Sequence, residues 1–233
     1  MDGAIDIDIK KKLAKGGSWA LIGKIVTAIL GLVSNVILAR VLSPADFGTY
    51  FLIQTIITVS VTLIILGFDK GIVRFISSEQ AKDKDYNIST IIKKIFLAIF
   101  LSFIVWAVLF RVFLSSFLDG VLNTTYITAL QFLIIGWVFV AIYQRITTET
   151  FRGMHRIDLT VILGGSIRGG IVYGTVFLAI LIPATLLHIK VSLDLVLKIV
   201  IASILASLLP ALYLVYNQSR IINPLLNLSE NLR

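Results

Sequence analysis

Apolar residues along this chain do not alternate with polar ones. They run on in blocks of about 20, the length a helix needs to cross a hydrocarbon core of about 30 Å. Six such blocks can be read, at 17–39, 47–66, 95–117, 126–143, 159–182 and 193–216. Lipid offers the backbone no hydrogen-bond partners, so a continuous apolar block of this length is expected to be helical. Barrel strands would show an alternating pattern instead. The pattern predicts an all-α integral membrane protein with six transmembrane helices. It divides the chain into a basic N-terminal segment, 1–16, a six-helix lobe, 17–216, and a C-terminal segment, 217–233. The first block continues without a small-residue cleavage site, so it reads as a retained span and not a signal peptide.

Composition narrows the classes. Of 233 residues, 58% are hydrophobic and 15% charged, whereas a soluble domain carries about 25% charged residues. Mean hydropathy is +0.97. The absence of cysteine excludes disulfides and thiolate metal sites. Net charge is +8, and its distribution gives it meaning. Fifteen Lys and Arg fall in the N-terminal segment, the second and fourth connections and the C-terminal segment. Only four, Arg40, Arg111, Lys190 and Lys198, fall on the other side or its margins, and Lys24 and Arg168 lie inside spans. The positive-inside bias predicts that both termini are cytoplasmic. The basic surplus is then a topology signal, with no nucleic-acid partner implied. Trp19, Tyr143 and Tyr216 fall at predicted inner ends and Tyr126 at an outer end, as interface anchors would. The longest connection, 67–94, includes SSEQAKDKDYN and reads as a solvated inner loop. With so little chain outside the bilayer, function is expected to lie within the helices.

Polar groups inside the spans are therefore the candidates. In the first span Lys24, Thr27, Ala28, Gly31, Ser34, Asn35 and Leu38 recur at steps of three and four, which lines one helix face. Small residues permit close helix packing, so one reading is a helix–helix seam. The other is the wall of a polar cavity. Lys24 either faces that cavity or snorkels to the inner headgroups. The stretch GGSIRGGIVYG, 164–174, holds Arg168 near the middle of the fifth predicted span. An arginine there costs about 2.5–3.5 kcal/mol. Fourteen Leu, Ile, Val and Phe residues in 157–182 offset it at about 0.3–0.6 kcal/mol each. Asp158 is ten residues away, about 15 Å along a helix, and no other acidic residue falls in the middle of a predicted span. Arg168 thus reads either as an anion site in a hydrated cavity or as a donor to backbone carbonyls. The glycines lack the spacing of a phosphate loop; Gly165/Gly169 and Gly170/Gly174 fit small-xxx-small packing. Two histidines, His155 and His188, stand apart from any ligand cluster, and no nucleophile triad or carboxylate pair is present. The chain is expected not to be an enzyme and to need no cofactor.

Three stretches resemble one family. KGGSWALIGKIVTAILGLVSNVILARVLSPADFGTY, 15–50, joins a glycine-bearing first span to A-R-x-L-S-P-x-D-F-G-x-Y. LGFDKGIVRF, 66–75, is similar to a G-x-D-x-x-x-x-R-F inner loop, and FRGMHR, 151–156, to an R-G-x-x-R loop before the fifth span. Their order and spacing resemble the bacterial polysaccharide or O-antigen flippases of the multidrug/oligosaccharidyl-lipid/polysaccharide exporter superfamily. The resemblance implies helical lobes around a central cavity and alternating-access transfer of a lipid-linked oligosaccharide across the cytoplasmic membrane. It implies an anionic cargo on a pyrophosphate lipid carrier, for which arginine is a suitable bidentate partner. Lys24 and Arg168 are then the expected phosphate contacts and Asn35 a neutral sugar or headgroup contact. Members of that family have two six-span lobes, and this chain covers one. It is expected to be a fragment, a split half or a homodimerising half, and to pair with a second six-helix lobe within the membrane lipids. Competing readings are another six-span transporter subunit or a non-transporting scaffold.

Overall fold

The computed structural model describes residues 2–81, 88–122, 126–164, 170–187 and 191–230, and the described residues are helical and connecting segments without strands. The helices are α1 (Asp2–Val41), α2 (Pro44–Ile65), α3 (Phe68–Ala81), α4 (Ile88–Leu109), a π-helical turn (Phe110–Leu114), α5 (Ser115–Leu122), α6 (Tyr126–Ala129), α7 (Gln131–Gly153), α8 (Ile157–Ile162), α9 (Ile171–Leu186) and α10 (Leu193–Glu230). Five stretches are long and apolar enough to cross a membrane: 20–41, 44–65, 92–120, 131–153 and 193–217. This is a multi-pass, all-helical membrane architecture.

The local sequence accounts for the sharpest boundaries. In the stretch LSPADFG, Ser43 is the N-cap of α2, Pro44 opens its first turn, and the Asp46 N–H donates to Ser43 Oγ at 3.1 Å. The Ser43 hydroxyl in turn donates to Asp46 Oδ2 at 2.8 Å. This reciprocal cap satisfies donors that every helix start leaves open. At the other end of α2, Leu66 (φ 47°) and Gly67 (φ 85°) are left-handed. Glycine adopts that backbone without steric cost, and the reversal sends the chain directly into α3.

α7 is the centre of the bundle. Of its apolar window 61% is buried, against 17% for α1 at the periphery. It packs against α10, α3 and α2, while α1 rests on α8 and α9. The buried positions of α2, Tyr50, Ile53, Ile57, Val61, Ile64 and Ile65, follow the three-and-four spacing of a single face. On α10 the buried Ser203 and Ser207 hydroxyls donate to Ile199 and Ile204 carbonyls of the same helix. That spacing leaves the opposite sides of the outer helices apolar and exposed, as lipid contact requires.

The structure departs from the sequence expectation at three places. The fifth predicted span, 159–182, is not one continuous helix. α8 ends at Ile162, Leu163, Gly164 and Gly170 are non-helical, and α9 starts at Ile171. Four glycines stand between 164 and 170, each less favourable than alanine in a helix by about 1 kcal/mol. α9 has 16 residues, about 24 Å of helix, shorter than the usual spanning length. Second, the connection 67–94 is not a plain solvated loop: α3 occupies 68–81 and buries Asp69, Ile72 and Ile76. Third, the fourth span does not stop at Tyr143. α7 continues through Gly153, so Arg145 and Arg152 sit on a helix and not in a loop. α1 and α10 are continuous through residues 16 and 216.

Candidate functional site

A cleft lies between α1, α2 and the start of α9. Its walls are Thr27, Leu30, Gly31, Ser34, Asn35 and Leu38 from α1, Tyr50, Phe51 and Gln54 from α2, and Gly170, Tyr173, Gly174 and Phe177 from the start of α9, around about 230 Å³. The cleft reaches from Thr27 to Leu38 along α1, about three helical turns. Close packing of glycines brings its walls together. A Cβ on Gly174 would lie 3.0 Å from Leu30 Cβ and Cδ1 on α1. A Cβ on Gly23 would collide with the Val161 side chain of α8. A side chain at Gly170 would overlap the Gly164 carbonyl, so the two ends of the break lie against each other.

Inside the cleft the polar groups divide into committed and open ones. The Thr27 hydroxyl donates to the Gly23 carbonyl at 2.9 Å and the Ser34 hydroxyl to the Leu30 carbonyl at 2.7 Å, both on their own helix. Asn35 and Gln54 present amides, and Tyr50 and Tyr173 present phenols. The Tyr50 ring stacks on the fully buried Trp137 of α7, with ring centroids 6.1 Å apart.

Of the residues expected from the sequence, Asn35 lines this cleft. It stands on the ridge between the cleft and an open groove formed by Ala28, Gly31, Leu32, Asn35, Val36 and Ala39 on the outer side of α1. Lys24 is exposed on α1, one turn before Thr27, and is not part of the cleft wall. Arg168 lies outside the described residues, in the segment that joins Gly164 to Gly170. The structure therefore joins Asn35 to Tyr50, Gln54 and Tyr173, and leaves Lys24 apart from them. Tyr50 was within reach of the sequence, because it closes the LSPADFGTY stretch. Gln54 follows one turn later on the same helix face. Tyr173 sits in GGIVYG, five residues after Arg168, and no spacing within that stretch marks it as a cleft residue.

A second polar cluster ties α3 to α7. Arg145 Nη2 is 2.7 Å from Asp69 Oδ2, with side-chain exposures of only 14% and 7%. Arg145 Nη1 also donates to Thr62 Oγ1 of α2 at 3.3 Å. The Ser77 hydroxyl donates to the Gly153 carbonyl at 3.3 Å, and a Cβ on Gly153 would stand 3.1 Å from Ile76 Cβ. One turn beyond Arg145, Glu149 is buried and accepts from Arg152 Nη1 at 2.8 and 3.0 Å. Glu149 stands in the last turns of α7, which continues past Tyr143 through Gly153 although the apolar run weakens there, and packs against α3 and α10. Nearby, Gln144 Nε2 donates to the Leu163 carbonyl at the end of α8, closing the α8 side of the break onto α7. His155 is exposed with φ 57°, and Arg156 pairs with Asp158 at 3.0 Å. That hydrogen bond holds the Asp158 carboxyl below the usual carboxylate range. Asp158 is therefore engaged at the α7–α8 corner, separate from the cleft.

Arg111, on the π-helical turn, donates to Gln131 Oε1 at 3.2 Å and lies over the Phe132 ring at 5.4 Å. It braces the start of α7 and contributes nothing to the cleft. Among the described residues no group of three or more His, Cys, Asp or Glu is arranged to hold a metal ion.

No curated protein and no solved structure matches the chain. A family model described as polysaccharide biosynthesis protein matches residues 13–233. A chain covered this fully belongs to that family, so this membrane protein is a member of the polysaccharide biosynthesis protein family.

Proposed function

We propose that the chain is one lobe of a flippase that moves a lipid-linked oligosaccharide across the cytoplasmic membrane of a bacterial or archaeal cell by alternating access. Both termini would be cytoplasmic, and a second six-helix lobe, either a separate chain or a second copy, would complete the path. The observation that carries this reading is a cleft with open amide and phenol groups inside an otherwise apolar helical lobe. A lipid-only scaffold has no use for such groups, because an unpaired polar group in an apolar setting costs free energy. Membership of a polysaccharide biosynthesis family supports a glycan as cargo.

In this reading Asn35 contacts sugar or headgroup within the cleft. Arg168, two residues before the cleft-lining Gly170, supplies a charge for the carrier's phosphates. Lys24, exposed one turn from the cleft, meets the anionic headgroup on its way in. The test is export in cells that depend on this chain for a surface glycan. Arg168→Ala at wild-type membrane abundance is expected to reduce the exported glycan while its lipid-linked precursor accumulates. Arg168→Lys should restore part of it if charge alone matters. Unchanged export in Arg168→Ala removes the substrate role of that residue.

A further inference from the structure

The start of α9 and Tyr50 meet in the cleft in a way that points to a specific ligand chemistry. α9 begins at Gly170, which has extended backbone (φ −144°, ψ 146°) and no side chain to cap the helix. The first intrahelical bond runs from the Gly174 N–H to the Gly170 carbonyl at 3.0 Å. The N–H groups ahead of it are those that a helix start leaves open, and the positive end of the helix dipole adds to them. Gly170, Tyr173 and Gly174 all line the cleft, so this end of the helix opens into it. Independently, Tyr50 is 5% exposed, lines the same cleft, and makes ring contacts with Phe51 and Trp137 while its hydroxyl has no hydrogen-bond partner among the described residues. The Tyr50 hydroxyl oxygen is not sealed from the cleft, so a bound oxyanion can replace water as its acceptor. Asn35 and Gln54 add amide donors on the α1 and α2 walls.

We infer that the cleft holds an oxyanion subsite, in which the N–H groups of the first turn of α9 and the Tyr50 hydroxyl donate to one carboxylate or phosphate of the bound molecule. Donors from a helix start and a neutral phenol favour negative charge and add no full charge of their own to the bilayer. At about 230 Å³ the space falls below the range of about 300–1,000 Å³ typical of drug-sized ligands. It suits a single sugar unit or a single phosphate and not a whole glycan. The identity of the natural ligand rests on the flippase reading; the oxyanion chemistry rests on the cleft alone. An acidic sugar and the phosphate of a lipid carrier offer the same chemistry, and the probes below separate them.

The stacking of Tyr50 on Trp137 supplies the readout. The chain has three tryptophans, so Trp19→Phe with Trp106→Phe leaves Trp137 as the only reporter. The full chain in lipid nanodiscs is titrated with glucuronate, inorganic phosphate and glucose while Trp137 fluorescence is followed. Saturable change with glucuronate alone identifies an acidic-sugar subsite, and with phosphate alone or with both a phosphate-competent one; glucose should give none at equal concentration. Tyr50→Phe should weaken the responding probe about tenfold, the worth of one hydrogen bond to a charged group. Ile171→Pro gives a second, backbone arm. It deletes one N–H at the first helical position, where proline is tolerated, and the extended Gly170 before it suits a proline. It should also weaken binding, with the helical circular dichroism retained. Equal response to glucose, no response to either anion, or wild-type binding in both variants overturns the subsite. None of these results depends on export, so loss of the subsite and loss of the flippase reading are distinguishable.

Discussion

The Asp69–Arg145 pair sets the angle between α3 and the central helix, and its strength can be measured. Both side chains are largely removed from water, at 7% and 14% exposure, and the contact is 2.7 Å. At an effective dielectric of about 20 two charges 4 Å apart attract by about 4 kcal/mol, and closer approach adds to this. Desolvation offsets much of that gain, so the net worth of the pair is well below the Coulomb figure. Removing one partner alone costs more, because the other charge stays buried with fewer partners. Arg145→Ala is expected to lower unfolding free energy by about 3 kcal/mol, at the lower end of the range for breaking a buried pair. Asp69→Asn should cost about 2 kcal/mol, since the Arg145 guanidinium keeps the Thr62 hydroxyl at 3.3 Å. The double variant should fall short of the sum by about 1–3 kcal/mol, the coupling of groups in direct contact. The assay is reversible unfolding in mixed micelles with increasing denaturing detergent, read by helical circular dichroism. A coupling below about 0.5 kcal/mol, the value of an exposed pair, would refute the claim that α3 is locked to α7 by buried charge.

Further outcomes follow from the same contacts. The exposed Arg156–Asp158 pair, at 47% and 41% side-chain exposure, is the counter-case: Asp158→Asn should change stability by less than about 1 kcal/mol in the same micelle assay. Because the Asp158 pKa is lowered by the Arg156 hydrogen bond, its small contribution is present at neutral pH and is lost as pH falls through the lowered folded value. The wild-type difference from Asp158→Asn should therefore vanish on acidification. Gly174→Leu must push a side chain into Leu30, already 3.0 Å from a bare Cβ. It is expected to cost about 1–3 kcal/mol as overpacking and to close the cleft, whereas Gly31→Ala, whose Cβ would meet nothing within 4 Å, should stabilise by up to about 1 kcal/mol in the same unfolding measurement. With no native cysteine, single cysteines report sidedness. Ser78→Cys on α3 should react with a membrane-impermeant maleimide only in inverted vesicles, and Ser116→Cys on α5 only in right-side-out ones; the reverse pattern overturns the positive-inside orientation.

Much of the lobe was legible from the sequence because the bilayer demands long apolar blocks. Four of the six predicted blocks overlap a helix long enough to span within a few residues at their outer limits, and a fifth, 126–143, locates α7 but ends ten residues early. That shortfall has a physical cause. Residues 144–151, QRITTETF, are polar by type, but their threonine hydroxyls bond back to carbonyls of the same helix, as Thr148 to Gln144 at 2.7 Å and Thr150 to Ile146 at 2.9 Å. Arg145 and Glu149 find ion-pair partners. A polar stretch whose groups are satisfied internally can be buried, and a hydropathy window cannot see the pairing. The break in the fifth block falls at its glycines, whose spacing alone reads as close helix packing. What the sequence lacked was the closeness of Gly164 to Gly170, which only the fold reveals.

The site was half legible. The three-and-four stripe of α1 puts Asn35, Thr27 and Ser34 on one helix face, and that face forms one wall of the cleft. The same stripe pointed to Lys24, which stands outside the cleft, because a helix face is longer than the neighbours that cover it. Tyr50, Gln54 and Tyr173 come from two other helices. Their meeting depends on how α2 and α9 pack against α1, and no spacing within one helix encodes that.

The central claim is that an anionic glycolipid enters the α1–α2–α9 cleft. It is tested most directly by placing a photo-reactive p-benzoylphenylalanine in place of Asn35, in cells that make a radiolabelled lipid-linked oligosaccharide. The control position is Val105 on α4, 61% exposed and away from the cleft. The account predicts a labelled glycolipid adduct at position 35 that weakens when Arg168→Ala is added, and none above background at 105. Equal labelling at the two positions, or labelling at neither while both capture bulk phospholipid, would contradict it.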